Sequence, residues 1–268
     1  MWLRLEHVTT FSYDGPISEA YTELRLKPAH RDGQRCSAFA LTTEPRAASV
    51  HEYRDRFGNS VHHFDILEAH DELVVTARSE VWTPARFEPG EGSPSQLDRH
   101  DFLAPSRYVP LDGAIAELAD SVEAGDDALG TATRLMEELR RRITYERGST
   151  HVHTRADEAL ADGRGVCQDF AHVFIGACRV KGIAARYVSG YLDNPGSNGD
   201  ETATHAWVDV WVDGTHWVPL DPTHDREQTE DYIRVGVGRD YADVPPTRGV
   251  YKGSANEELE VTVRTGET

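Results

Sequence analysis

The chain has 268 residues, 38% of them hydrophobic and 28% charged, which is enough for one large domain or two ordinary ones and excludes a disordered chain. Its 46 acidic residues against 28 basic ones give a formal charge of −18, which argues against nucleic acid as a partner, because phosphate backbones are met by basic faces. No run approaches the roughly 20 consecutive apolar residues of a membrane helix, so no membrane partner is expected.

Residues 1–7 alternate apolar and polar positions and lack the apolar run of a signal peptide. The three cysteines, Cys36, Cys167 and Cys178, form neither a disulfide framework nor a Cys-x-x-Cys knuckle. Together these features predict a cytoplasmic protein. Up to about residue 85 the chain reads as short antiparallel strands. Leu3, Leu5 and His7 alternate with polar neighbours, as do Leu24 and Leu26. A hairpin is predicted from strands at 50–54 and 61–67 around a turn at 55–59, followed by a Val- and Thr-rich strand at 72–82. This half predicts an antiparallel β-sandwich and shows no catalytic pattern.

Residues 84–110 carry five prolines with Gly90 and Gly92 and read as a linker or ordered strap. The division expected is 1–95 for the β-rich domain and 96–268 for a second one. Beyond the strap, Ile115, Leu118 and Val122 fit one helix, and Leu135, Leu139 and Ile143 fit a longer one. Thr154 followed by Asp157 marks another helix start. Strands return afterwards, which makes the second domain α+β. At the tail, Leu259, Val261 and Val263 alternate in a strand that can return to the N-terminal sheet.

The helix starting at Cys167 carries most of the chemistry. Cys167, Phe170, Ala171, Phe174, Ile175 and Cys178 form one apolar stripe at helical spacing. Cys167 stands at the N-terminal end, where unpaired N–H groups and the helix dipole favour a thiolate. Cys178 lies about 16 Å further along and reads as a small core residue. Gln168 and Asp169 read as capping polarity of the first turn. His172, about 140° around the helix from Cys167, faces away from the thiol.

In the segment 204–222, Ala206, Val208, Val210 and Val212 point to one face, and His205, Trp207, Asp209 and Trp211 to the other. Two hairpin registers are open. A two-residue loop pairs Ala206 with Asp221, whereas a three-residue loop, Asp213-Gly214-Thr215, pairs Val210 with Val218 and Val208 with Leu220. The second keeps the apolar face apolar and is preferred. It leaves His205 and Asp221 diagonal neighbours on one face, close enough for a carboxylate to reach an imidazole. The order Cys167, His205, Asp221 then supplies a nucleophile, a base and an orienter. Trp207 and Trp211 form a wall beside this site or bury against the N-terminal domain.

The stretches Gly165-Val166-Cys167-Gln168-Asp169-Phe170-Ala171-His172, Ala185-Arg186-Tyr187-Val188-Ser189-Gly190-Tyr191, His205-Ala206-Trp207-Val208 and Leu220-Asp221-Pro222-Thr223 strongly resemble the bacterial transglutaminase-like family. So, more weakly, do residues 238–244 and the N-terminal strands. The family's usual triad maps onto Cys167, His205 and Asp221 with no departure. The resemblance implies an α+β fold: a β-rich N-terminal region followed by a papain-like domain, with a cysteine helix packed on an antiparallel sheet. It also allows Arg239, Asp240 and Tyr241 to line the cleft.

The expected reaction is acyl transfer through a thioester on a peptide or protein amide, ending in hydrolysis or transfer to an amine. The rival is a non-catalytic scaffold that keeps the fold. No cofactor is expected. No metal is expected either, because His151-Val152-His153 and His62-His63 lack partner ligands at recognised spacing.

Overall fold

The computed structural model describes residues 1–87, 95–193 and 204–267. The middle of the expected linker, 88–94, and residues 194–203 lie outside the described residues. Six strands come first: β1 (Trp2–Ile17), β2 (Glu19–Leu24), β3 (Arg35–Glu44), β4 (His51–Arg54), β5 (Ser60–Ile66) and β6 (His70–Trp82). The helical part follows, with α1 (Gln96–Asp101), α2 (Gly113–Asp120), α3 (Ala128–Arg142), β7 (Thr144–Tyr145), α4 (Ala156–Asp162), β8 (Arg164–Gly165) and α5 (Cys167–Val180). The chain then returns to strands: β9 (Ala185–Leu192), β10 (Thr204–Val212), β11 (His216–Asp221), β12 (Arg226–Glu227), β13 (Tyr232–Gly238), β14 (Thr247–Lys252) and β15 (Glu257–Glu267). Among the described residues no helix is long and apolar enough to cross a membrane.

The first part is a sandwich of two four-stranded sheets, β15-β1-β6-β3 and β14-β2-β5-β4. Alternation builds it: Phe11, Leu73, Val75 and Ala77 turn into its core, while Leu3, Leu5 and Val81, buried in the same alternation, pack against Tyr191, Ile233 and Val235 of β9 and β13. Each sheet takes one edge strand from the C-terminus. β15 runs antiparallel along β1, the return that the tail pattern allows, and β14 pairs with β2. The second unit therefore does not extend to 268 as a block, because its last two strands complete the sandwich.

In the second half the sheet order is β12-β11-β10-β9-β13, with α5 packed on one face. Val208, Val210, Val212 and Leu220 meet Phe170, Phe174 and Cys178 there in the largest core. The hairpin has the three-residue register: Val208 pairs with Leu220, Val210 with Val218 and Trp211 with Trp217.

Its other face carries a buried charge network. Asp209 is fully buried and accepts from Arg186 Nε at 2.8 Å and from Arg234 Nη1 and Nη2 at 2.6 and 2.8 Å. Burial alone would raise Asp209, but the two guanidinium groups win and bring it down to about 2. Trp207 and Trp211, which alternation put on this face, are both buried, the first with Val188 and Tyr232, the second with Phe102 and Trp217.

β13 is the last strand of its sheet, and side chains of the N-terminal unit meet its outer edge. Gln34 donates to the Arg234 carbonyl and accepts from the Arg234 N–H, both at 2.8 Å. Asn59 makes the same pair with Val237, again at 2.8 Å each. Asn59 is aimed by the predicted turn, in which Gly58 takes a φ of 79° and Asp55 accepts from the Asn59 N–H.

Asp209→Asn leaves two guanidinium groups buried beside a neutral amide. It should cost about 3–5 kcal/mol, read as a lowered urea midpoint. The depressed carboxyl also fixes the sign of the pH dependence. Its contribution is complete above the ordinary value of 3.8 and is lost as pH falls through about 2.

Candidate active site

Cys167 is the first residue of α5 and is partly exposed, whereas most of the helix behind it is buried. The Asp169 and Phe170 N–H groups both reach the Val166 carbonyl, at 2.9 and 3.1 Å, which leaves the Cys167 and Gln168 N–H groups at the open end of the helix beside the thiol. Asp169 fixes this end: its Oδ2 accepts from the Val166 N–H at 2.8 Å and from the Thr150 hydroxyl at 2.6 Å. Gly165 is required beside it, because a Cβ there would stand 2.7 Å from the Asp169 Cβ. Gln168 donates to the Val152 carbonyl at 3.1 Å, so the loop before α4 is tied to the cysteine turn twice. Asp169 therefore caps the helix as expected, whereas the Gln168 side chain braces the neighbouring loop instead. Cys178 is fully buried, and burial pushes its thiol well above the ordinary range.

His205 lies near the start of β10 and Asp221 at the end of β11. The register brings His205 Nε2 to 2.7 Å from Asp221 Oδ2. Cys167 lies close enough to act electrostatically on the same ring. Burial opposes charge on the ring, but Asp221 and Cys167 outweigh it and push His205 up to about 10. Asp221 is raised by burial and lowered more strongly by His205 and His224, and it ends far below the usual carboxylate range. The structure thus brings the three sequence-predicted residues together, His205 and Asp221 as a hydrogen-bonded pair with Cys167 beside the imidazole.

Two partners of Asp221 are absent from the sequence reading. Tyr232 donates its hydroxyl to Oδ2 at 2.6 Å, and His224 Nδ1 lies 2.7 Å from the same oxygen. Burial and the charge of Asp221 raise Tyr232, which keeps it a phenol and a donor. Oδ1 accepts from the N–H groups of Thr223 and His224, closing an Asx turn. The Asp221-Pro222-Thr223-His224 spacing was the available signal for His224. Tyr232 gave none, because β13 lies at the far side of the sheet from β11.

Trp207 stacks on His205, with ring centroids 6.1 Å apart, and its indole N–H donates to Gln228 at 3.2 Å. Its ring crosses Gly190 so closely that a Cβ there would fall 2.6 Å from it. Trp207 is therefore both a wall of the site and a core residue.

His172 does not face the thiol. It is stacked between Tyr108 and Tyr187 and accepts from the Tyr241 N–H at 3.1 Å, and burial pulls it down to about 4, so it is neutral. Arg239 pairs with Asp243, and Asp240 accepts from the Tyr108 N–H. Tyr241 lines a cavity of about 450 Å³ between sandwich and catalytic half, together with Tyr108, Val152, His153, Arg248 and Tyr251. His153 bonds to Tyr108, and His62 lies 3.7 Å from Glu52. Neither histidine pair gathers a ligand set. Among the described residues, the grouping with metal-ligand geometry is His205, Asp221 and His224.

The family model for the transglutaminase-like superfamily matches residues 116–222, and that for the bacterial transglutaminase-like N-terminal region matches residues 3–82. An uncharacterized protein of Mycobacterium leprae is 36% identical over 98% of this chain and 98% of its own. A protein-glutamine gamma-glutamyltransferase of Pseudomonas aeruginosa is 32% identical over 36% of this chain and 16% of its own length. A protein of Cytophaga hutchinsonii described as a candidate cysteine protease has the same fold, with a TM-score of 0.80 at 19% identity, covering 100% of this chain and 91% of its own. By sequence and by fold, the chain belongs to the transglutaminase-like superfamily and carries the bacterial N-terminal region of that family ahead of its core.

Proposed function

We propose that the protein is an enzyme that cleaves peptide or protein amides through a cysteine thioester. The observation that carries this reading is the hydrogen-bonded pair His205–Asp221 set beside Cys167 at the N-terminus of a buried helix. The Cys167 thiolate attacks the amide carbonyl and forms the carbon–sulfur bond. The oxyanion that develops is met by the Cys167 N–H, an unpaired donor at the helix start. His205 gives its Nδ1 proton to the leaving amine as the carbon–nitrogen bond breaks. The neutral imidazole then takes a proton from water or from an incoming amine, whose attack releases the thiol. Asp221 keeps the Nε2 proton on the ring and stabilises the imidazolium. Tyr232 holds the carboxylate in place, and His224 is not used.

Water as acceptor makes the protein an amidase or protease, and an amine makes it a transglutaminase. The thioester is common to both. The name of the Pseudomonas aeruginosa relative supports the second outcome, and the fold shared with the Cytophaga hutchinsonii protein is compatible with either. A peptide-library screen run with and without a primary amine separates them: ligated products appear only in the transferase.

Cys167→Ala should reduce turnover by about 10⁴-fold or more with the circular dichroism spectrum unchanged. Iodoacetamide near neutral pH should alkylate Cys167 ahead of the fully buried Cys178. A chain whose Cys167 is inert to alkylation and whose turnover survives the substitution is a scaffold.

Asp221→Asn should keep the Val210–Val218 pairing and still lower turnover by roughly 10²- to 10⁴-fold, because an amide can hold the wrong imidazole tautomer. Full activity in this variant would remove Asp221 from the mechanism.

A further inference from the structure

The mechanism leaves one feature of the site unused. Two imidazole nitrogens, His205 Nε2 and His224 Nδ1, converge on the same carboxylate oxygen, each 2.7 Å from Asp221 Oδ2. One histidine is enough for a triad.

We propose that His205, His224 and Asp221 form a binding site for a divalent transition-metal ion of the zinc type, and that the ion switches the enzyme off when it binds. The three ligand atoms already lie within 4.8 Å of one another. Two imidazoles and one carboxylate, with a water in the fourth position, are a donor set that suits Zn²⁺. Oδ1 is held by the Thr223 and His224 N–H groups, which leaves Oδ2 directed at the two rings. Tyr232 donates to Oδ2 from behind, a supporting hydrogen bond of the kind that orients metal-ligating carboxylates. Arg226, which reaches the Tyr232 hydroxyl, is paired with Asp231, 2.7 Å away.

A path for the ion exists because the side chain of His224 is 43% exposed, while His205 and Asp221 are buried. Metal–ligand bonds of about 2.0–2.1 Å in a tetrahedron put neighbouring donor atoms roughly 3.3 Å apart. Each nitrogen therefore has to retreat by roughly 0.6 Å from Oδ2, a movement open to His224 on its exposed turn.

Binding replaces two N–H···O hydrogen bonds by two metal–nitrogen bonds and one metal–oxygen bond. The protons leave these nitrogens for the far nitrogen of the ring or for solvent, and no electrons are transferred. With Nε2 occupied by the ion, His205 holds at most one proton, at Nδ1. It can no longer pass between neutral imidazole and imidazolium, so it cannot serve the leaving amine and then the incoming nucleophile. The loss of activity rests on the triad reading above, whereas the binding does not and is measured without turnover.

The test uses the full chain carrying Cys167→Ala, so that the thiol is no ligand, stripped with a chelator and titrated with ZnCl₂ by calorimetry and with CoCl₂ by visible absorption. We expect one ion per chain, an intense four-coordinate cobalt spectrum, and binding at least tenfold weaker when His224→Gln is added. Circular dichroism checks that this variant is folded. His153→Gln, in the neighbouring loop, should bind as its parent does. Failure to take up the ion, equal binding with and without His224, or loss of binding in His153→Gln each overturns the proposal. In the chain with Cys167 intact, zinc should suppress turnover, and a chelator should restore it. If zinc binds through His224 but no form of the protein turns over an amide, the metal site stands and the proposed function falls.

Discussion

An ionised carboxylate out of reach of water is stable only while its lone pairs are met by donors. Asp221 is in that position, and much of the site's architecture follows from it. The three-residue hairpin loop sets it on the same face as His205. The Asx turn supplies two main-chain donors to one oxygen, and Tyr232, His205 and His224 supply three side-chain donors to the other. Moving the register by one residue would place the carboxylate among the valines, where none of these donors is found.

The same face carries a second buried carboxylate, and the contrast shows how partners decide what a charge can do. Asp209 is held by Arg186 and Arg234, which keep their charge at any physiological pH. Nothing in that cluster can take or give a proton, so it serves only to lock β9, β10 and β13 together. Asp221 is held by two imidazoles, a phenol and two main-chain N–H groups, and its neighbour His205 lies beside Cys167. Asp209 faces Pro219 across the hairpin, two residues before Asp221 along β11, and Gln228, bonded to both Trp207 and Arg234, joins their surroundings.

Periodicity made the local order of this chain readable. The stripe from Cys167 to Cys178 and the alternation through 204–220 are strong because each segment is buried along its length. β3 gave no such signal: it lies at a sheet edge and is exposed or half-buried throughout, so few of its residues are under pressure to be apolar. β14 is similarly exposed, and its place beside β2 depends on contacts more than 200 residues apart in sequence. At the site, the triad is legible because its spacing obeys strand and helix geometry. Tyr232, Arg234 and Arg186 are not, since the distance between them and their aspartates is set by the order of strands in the sheet.

The amide pairs at the outer edge of β13 make the catalytic sheet depend on chain that precedes it. Gln34 and Asn59 each offer one donor and one acceptor, as a neighbouring strand would, and so finish an edge that would otherwise be open to pairing with another chain. Exchange of modules between relatives is restricted by this. A chimera that joins this catalytic half to a foreign N-terminal region has to bring a carboxamide to both places, or its sheet begins life with a free edge.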